Sequence, residues 1–175
     1  MLDLKLKRLS HVDGTWDELL TQWKQLCEQY GENFEDFNSG TISMLGDVSG
    51  EVPPKPNQGT FGLIGEDGKF HGICLLNLTL QKGYDGLVLR VLNFSLSPYY
   101  DFEDLQLEEY SSVLAAYFVN LVVCSNTQLK SKHIKIHYRS PYDRHFFASV
   151  APHLSGVGQL ATVETRGMWL SVTKA

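Results

Sequence analysis

Nowhere does the sequence hold a run of about 18 uncharged apolar residues, the length a bilayer-spanning helix needs. The nearest approach, residues 113–124, is short and is broken by Asn120, so no membrane partner is expected. The opening stretch MLDLKLKRLSHVDG alternates Leu with charged residues where a signal peptide would carry an apolar block and a small-residue cleavage site, which predicts a cytoplasmic location. Cysteine is scarce: Cys27, Cys74 and Cys124 are odd in number, sit in apolar surroundings and match no zinc or thiol-redox spacing. They are expected to be buried free thiols. A Gly-x-Ser-x-Gly elbow is absent, as are internal repeats and low-complexity tracts. Since apolar surroundings keep a thiol protonated and inert, hydrolase chemistry is set aside. Basic residues are in the minority, and the net charge of −5 argues against non-specific attraction to nucleic acid, although a local basic surface can still form.

What is present is enough apolar material for one substantial core: 175 residues with 43% hydrophobic content predict a single domain over residues 1–175. A first strand is expected near residues 2–9. Thr15 and Glu18 have capping-box spacing, and Trp16, Leu19, Leu20, Trp23, Leu26, Cys27 and Tyr30 follow at helical intervals up to a stop at Gly31. The aromatic stripe Trp16, Trp23, Tyr30 reads as core packing, with part of it available to a partner. A shorter helix is expected over residues 34–45, interrupted by Asn38, Ser39 and Gly40, and residues 46–59 read as a Gly- and Pro-rich loop. The runs FGLI, KFHGICLLNLTL and LVLRVLNFSLS, separated by turn residues, form an antiparallel meander. Its third strand is apolar enough to be central and covered on both faces.

Residues 105–125 then carry a deeply buried helix on Leu107, Tyr110, Leu114, Tyr117, Phe118 and Leu121. In HIKIHYR, Ile134, Ile136 and Tyr138 alternate with His133, Lys135, His137 and Arg139, predicting a strand with one apolar and one basic face. Ser140, Pro141 and Asp143 make a helix start, with a stop expected before Pro152. LATVE and MWLSV, around Thr165-Arg166-Gly167, close the chain as a hairpin.

This order of strand, two helices, three-stranded meander, helix, strand, helix and hairpin resembles that of the GNAT-type N-acyltransferases across nearly the whole chain. The resemblance implies an α/β fold with a mixed, mostly antiparallel sheet of about six to seven strands flanked by helices. It implies an acyl-CoA site in which Asn93, Phe94, Ser95 and Leu96 line the thioester and Ser111 and Ser112 stand near the diphosphate. In that family the turn after the central strand reads Arg or Gln, two residues, Gly, one residue, Gly or Ala. Glycine there lets backbone amides close on the diphosphate, and the helix dipole adds positive potential. Here the turn PYYDFEDLQLEEYSS has no glycine, no Lys or Arg, and five carboxylates. Laid from Gln106, the pattern puts Glu109 and Ser111 where glycines belong, and the acids oppose a polyanion. A second family motif, Asn, two residues, Ala, two residues, an apolar residue and Tyr, falls on Ser140, Asp143, Phe146 and Phe147. Phe147 has no hydroxyl to serve as general acid, which leaves Tyr138 and Tyr142 for that role.

Two readings follow. In the first, the acyl-CoA site is degenerate, no cofactor is used and the chain is a non-catalytic module for a protein partner or a ligand. In the second, a divergent acyltransferase takes acetyl-CoA or another acyl-CoA, with Tyr138 or Tyr142 as acid. His133 and His137 stand roughly 13 Å apart along a strand, too far to share a metal, and are expected as solvated polar residues. Lys130, Lys132, Lys135, Arg139 and Arg144 form the one basic concentration. It reads as a complement to the acidic segment 101–109, or a surface for a protein partner.

Overall fold

A computed structural model describes residues 3–175. Strand β1 (Leu4–Arg8) falls within the expected span, whose first residue lies outside the described residues. Helix α1 (Thr15–Gln29) begins differently from the capping box. The chain turns through Gly14 at φ 77 with no side-chain cap, and the Thr15 hydroxyl turns back to donate to Asp13 Oδ1 at 2.6 Å and accept from Ser10 N–H at 3.0 Å. The expected helix over residues 34–45 is two pieces, a 3₁₀ turn at Phe34–Asp36 and helix α2 at Ser39–Ser49. Asn38 separates them in the left-handed conformation, φ 49. Helix α2 runs four residues into the expected loop because Gly46 is needed inside it: a Cβ there would stand 3.2 Å from the Trp16 ring, so glycine brings α2 against α1.

Strands β2 (Gln58–Gly65), β3 (Phe70–Leu80) and β4 (Leu87–Leu96) form the meander. A short helix the sequence reading lacked, α3 (Pro98–Phe102), precedes α4 (Leu107–Cys124). Strand β5 (His133–His137), helix α5 (Pro141–Leu154), β6 (Leu160–Arg166) and β7 (Trp169–Lys174) complete the chain. Ser140 caps α5 by accepting from Asp143 N–H, but the helix passes through Pro152. The proline falls in the last turn, which Ser155 closes by donating its N–H to Ala151 O at 3.2 Å while its Oγ accepts from Val163 N–H at 2.8 Å.

Among the described residues seven strands lie in the order β1-β2-β3-β4-β5-β7-β6. Every pairing is antiparallel except β4 with β5, giving the mixed, mostly antiparallel sheet of about seven strands that was expected. Alternate residues along each strand face opposite sides. Ile73 and Leu75 therefore pack with Trp16, Trp23 and Leu45 of α1 and α2, while Cys74 and Leu76 pack with Leu114, Tyr117 and Leu121 of α4. All three cysteines are free and buried. Burial pushes the Cys74 thiol up to about 12. With 18 residues and a mean hydropathy of 1.2, α4 has the length and composition to cross a bilayer, but its buried face is spent on the sheet core. At the free edge of β1, Asn120 of α4 accepts from Leu6 N–H at 3.2 Å and donates to Leu4 O at 2.9 Å.

Candidate functional site

Parallel neighbours whose C-terminal ends diverge leave a crevice, the usual ligand position in open α/β sheets. Strands β4 and β5 pair only from Val88 with His133 to Val91 with Ile136. Beyond Val91 the strand is bulged: Ile73 lies opposite Ser95 and Leu75 opposite Leu92, so Asn93 and Phe94 face the single residue Cys74. A bulge of this kind bends its strand. Asn93 takes the left-handed conformation, φ 50, a geometry Asn tolerates better than most residues.

Into this crevice project the side chains that follow each strand. Arg139, two residues past β5, reaches α3 and donates through Nη1 to both oxygens of Asp101, at 2.8 and 3.1 Å. Its Nη2 donates to the Tyr110 hydroxyl. That hydroxyl donates to Asp143 Oδ1 at 2.9 Å, and Asp143 Oδ2 accepts the Arg139 backbone N–H at 3.1 Å. The network therefore joins α3, the first turn of α4, the end of β5 and the first turn of α5. Asp143 is 1% exposed, so its carboxylate depends on these donors. Burial opposes the charge on Arg139, yet Asp101 and its other partners outweigh that and hold its pKa above the usual value. Burial, partly offset by Arg139, pushes the Tyr110 hydroxyl well up.

Arg139 divides the crevice. One cavity of about 420 Å³ is lined by Tyr100, Glu103, Asp104, Tyr110, Arg139 and Tyr142, among others. Another of about 480 Å³ lies among Asn38, Thr41, Asn93, His137, Arg139 and Trp169, with Leu92, Phe94 and Tyr138. The first lies beside the acidic turn. Tyr30 donates to Glu103 at 2.8 Å and Tyr99 to Glu109 at 2.6 Å, and the bond to Glu109 pushes the Tyr99 hydroxyl up to about 12. Among the described residues, Asp101 with Arg139 is the only pairing within 4.0 Å between a carboxylate of this turn and a cation.

The residues singled out from sequence are partly brought together. Asn93 is exposed on the second cavity, whereas Phe94 stacks on Tyr117 with ring centroids 4.0 Å apart. Ser95 is buried and accepts from Asn38 Nδ2 at 2.9 Å, and Leu96 is wholly buried opposite Gly72. Ser111 and Ser112 lie on α4 and line neither cavity; Ser112 Oγ donates to Glu108 O at 2.7 Å, within its own helix. Tyr138 is buried with its hydroxyl unpartnered among the described residues, and burial pushes it up to about 12. Tyr142 is 38% exposed, its ring edge-on to Tyr110. His133 corrects the solvated reading. It is 5% exposed, with Nε2 2.7 Å from Asp85 Oδ1 and Nδ1 3.1 Å from Thr173 Oγ1, because the turn before β4 folds over it. His137 instead meets the edge of Trp169 at 4.7 Å. Among the described residues no three His, Cys, Asp or Glu side chains converge to hold a metal ion. The pairing of Arg139 with Asp101 bears out the expected complement between the basic group and segment 101–109, whereas Tyr110 and Asp143 as its further partners were missed from sequence. Their one local signal was the four-residue spacing of Arg139 and Asp143 around a Ser-Pro helix start.

No protein-family model matches the chain, and no curated protein matches it in sequence. Among solved structures it is similar to a GCN5-related N-acetyltransferase from Brucella melitensis, at 14% identity and a TM-score of 0.49, covering 97% of this chain and 75% of that one. It is also similar to an aminoglycoside acetyltransferase from an uncultured soil metagenomic sample, in complex with sisomicin, at 10% identity, TM-score 0.42, 94% and 95% coverage. A third likeness is to FeeM, an N-acyl amino acid synthase from uncultured soil microbes, at 9% identity, TM-score 0.40, 95% and 92% coverage. These are likenesses of fold.

Proposed function

We propose that this GNAT-fold chain carries a degenerate acyl-CoA site, closed by its own side chains, and works as a non-catalytic binding or interaction module. The observation that carries the reading is the Arg139 bridge. An acyl-CoA arm lying between the ends of β4 and β5 would have to displace a guanidinium bonded to Asp101 and Tyr110, next to a turn whose carboxylates repel a diphosphate. Breaking such a partly buried, charge-assisted contact costs about 1.5–3 kcal/mol, and the turn has no glycine to let its backbone close on a diphosphate in return. Calorimetric titration with CoA and acetyl-CoA at low salt tests this. The expected result is no heat at millimolar ligand, and micromolar binding would overturn the reading.

One observation favours a second reading, a divergent acyl-CoA-dependent N-acyltransferase: the cavity of about 480 Å³ beside the Asn93 bulge is open. Of the two candidate tyrosines Tyr138 lines that cavity, whereas Tyr142 lines the one on the other side of Arg139. Release of free CoA thiol in the presence of amine acceptors, lost in Tyr138→Phe, is the result that would support it.

A further inference from the structure

Helices α1 and α2 cover only part of the sheet face on which they lie. On that side β5, β7 and β6 present Lys135, His137, Trp169, Ser171 and Thr173, all half-buried, with Thr162, Glu164 and Arg166 exposed. Arg90 of β4 lies alongside, in register with Lys135. The Lys135 ammonium sits 4.8 Å from the Trp169 ring centroid and 5.6 Å from that of Tyr84, and the Arg90 guanidinium lies 5.8 Å from Trp169. Two cations are thus fixed over aromatic rings instead of swinging in solvent.

The charges around them are already matched. Asp85 is held by Lys132 and His133, and Glu164 by Arg166. Among the described residues neither Arg90 nor Lys135 has a carboxylate within 4.0 Å, and Arg90 Nε is buried without a hydrogen-bond partner. The chain as a whole is acidic, −5, so a fixed positive pair on an open sheet face is a local reversal of sign.

We propose that this face docks an acidic segment of a partner protein, its carboxylates meeting Arg90 and Lys135. The inference rests on the reading of the chain as an interaction module and names the chemistry of its partner. A peptide is favoured over single-stranded nucleic acid for two reasons. Binding a polyphosphate takes several neutralising cations, and this face has two to spare. The ring faces that bases would stack on are occupied by those same cations. Pre-positioned charge lowers the ordering cost of binding and makes the interaction sensitive to salt.

The test is selection of a random heptapeptide display library on the full chain and on Arg90→Glu/Lys135→Glu. A fluorescein-labelled peptide from each selected pool is then titrated by anisotropy, with a version carrying Gln for each acid as control. Acid-rich peptides should emerge from the wild type only, and their affinity should fall about tenfold or more in the charge-reversed protein. If that variant does not fold, Arg90→Gln/Lys135→Gln replaces it. Absence of acidic enrichment, or equal affinity for wild type and variant, overturns the proposal. So does tighter binding of a labelled oligo-dT 20-mer that is lost in the same variant. CoA titration of the same samples separates the two readings. CoA binding alongside acidic-peptide selection refutes the closed groove and leaves the docking face standing; CoA exclusion without peptide selection does the reverse.

Discussion

Replacing Arg139 by Met keeps most of the apolar stem and deletes the guanidinium that spans the crevice. The side chains of Arg139 and Asp101 are 20% and 27% exposed, between the fully buried case and the open surface, where an ion pair contributes about 0–1 kcal/mol. A coupling of about 1.5 kcal/mol is therefore expected for the two bonds from Nη1. The contact to Tyr110 goes too, while Asp143 keeps the backbone N–H of residue 139 and the Tyr110 hydroxyl. Arg139→Met should then cost about 2 kcal/mol in all, lowering the thermal midpoint by about 4–8 °C for a chain of this size. Asp101→Ala should cost about 1.5 kcal/mol, and the double variant little more than Arg139→Met alone. Urea unfolding of the four proteins gives the cycle. Additivity to within about 0.4 kcal/mol would mean that the bridge does not form in solution and would remove the basis for a closed groove.

Three other outcomes are expected. Glu108→Lys/Glu109→Lys should raise affinity for CoA in a calorimetric titration, more so when combined with Arg139→Met; no change would count against acidic exclusion of the diphosphate. At the bulge, Asn93→Gly should leave stability within about 0.5 kcal/mol of wild type, whereas Asn93→Val should cost about 1–2 kcal/mol because a β-branched residue resists the left-handed conformation; equal midpoints for the two would refute the positive φ. Hydrogen bonds from Lys132 and then His133 hold the Asp85 carboxyl near 2, below its ordinary 3.8. A folded pKa below the unfolded one stabilises above the unfolded value and is lost as pH falls through the folded one. The thermal-midpoint gap between wild type and Asp85→Asn should thus close between about pH 4 and pH 2, and a gap constant through that window would refute the pairing.

The element order was legible because each strand and helix carries its own period: the apolar run of β4, the alternation of β5 and the helical spacing in α1 and α4 are local properties of the chain. What stayed hidden depends on tertiary contact. Gly46 reads as a loop residue until Trp16 is seen against it, and Pro152 reads as a stop until Ser155 closes the turn after it. His133 reads as solvated until Asp85 is folded over it. The candidate site behaved likewise. The acidic turn and the missing glycines lie in one contiguous segment and were visible. That the basic group would complement that turn was legible from charge, but the bridge joins Asp101, Tyr110, Arg139 and Asp143 from four elements, and no spacing rule singles out residue 101 for residue 139.

Asn120, which interrupts the apolar run of α4, has a consequence for how copies of this protein can associate. Its carboxamide offers β1 an acceptor and a donor, as a neighbouring backbone would, and engages Leu6 N–H and Leu4 O. A side chain here does the work of one peptide unit from an eighth strand. Another chain seeking to lengthen the sheet on that side meets the middle of a five-residue strand already taken, so growth into edge-to-edge filaments is barred at β1. The opposite rim, β6, is met in the same manner: Ser155 Oγ accepts from Val163 N–H at 2.8 Å and donates to Val163 O at 3.1 Å, so a side chain occupies the middle of the last strand at each end of the sheet.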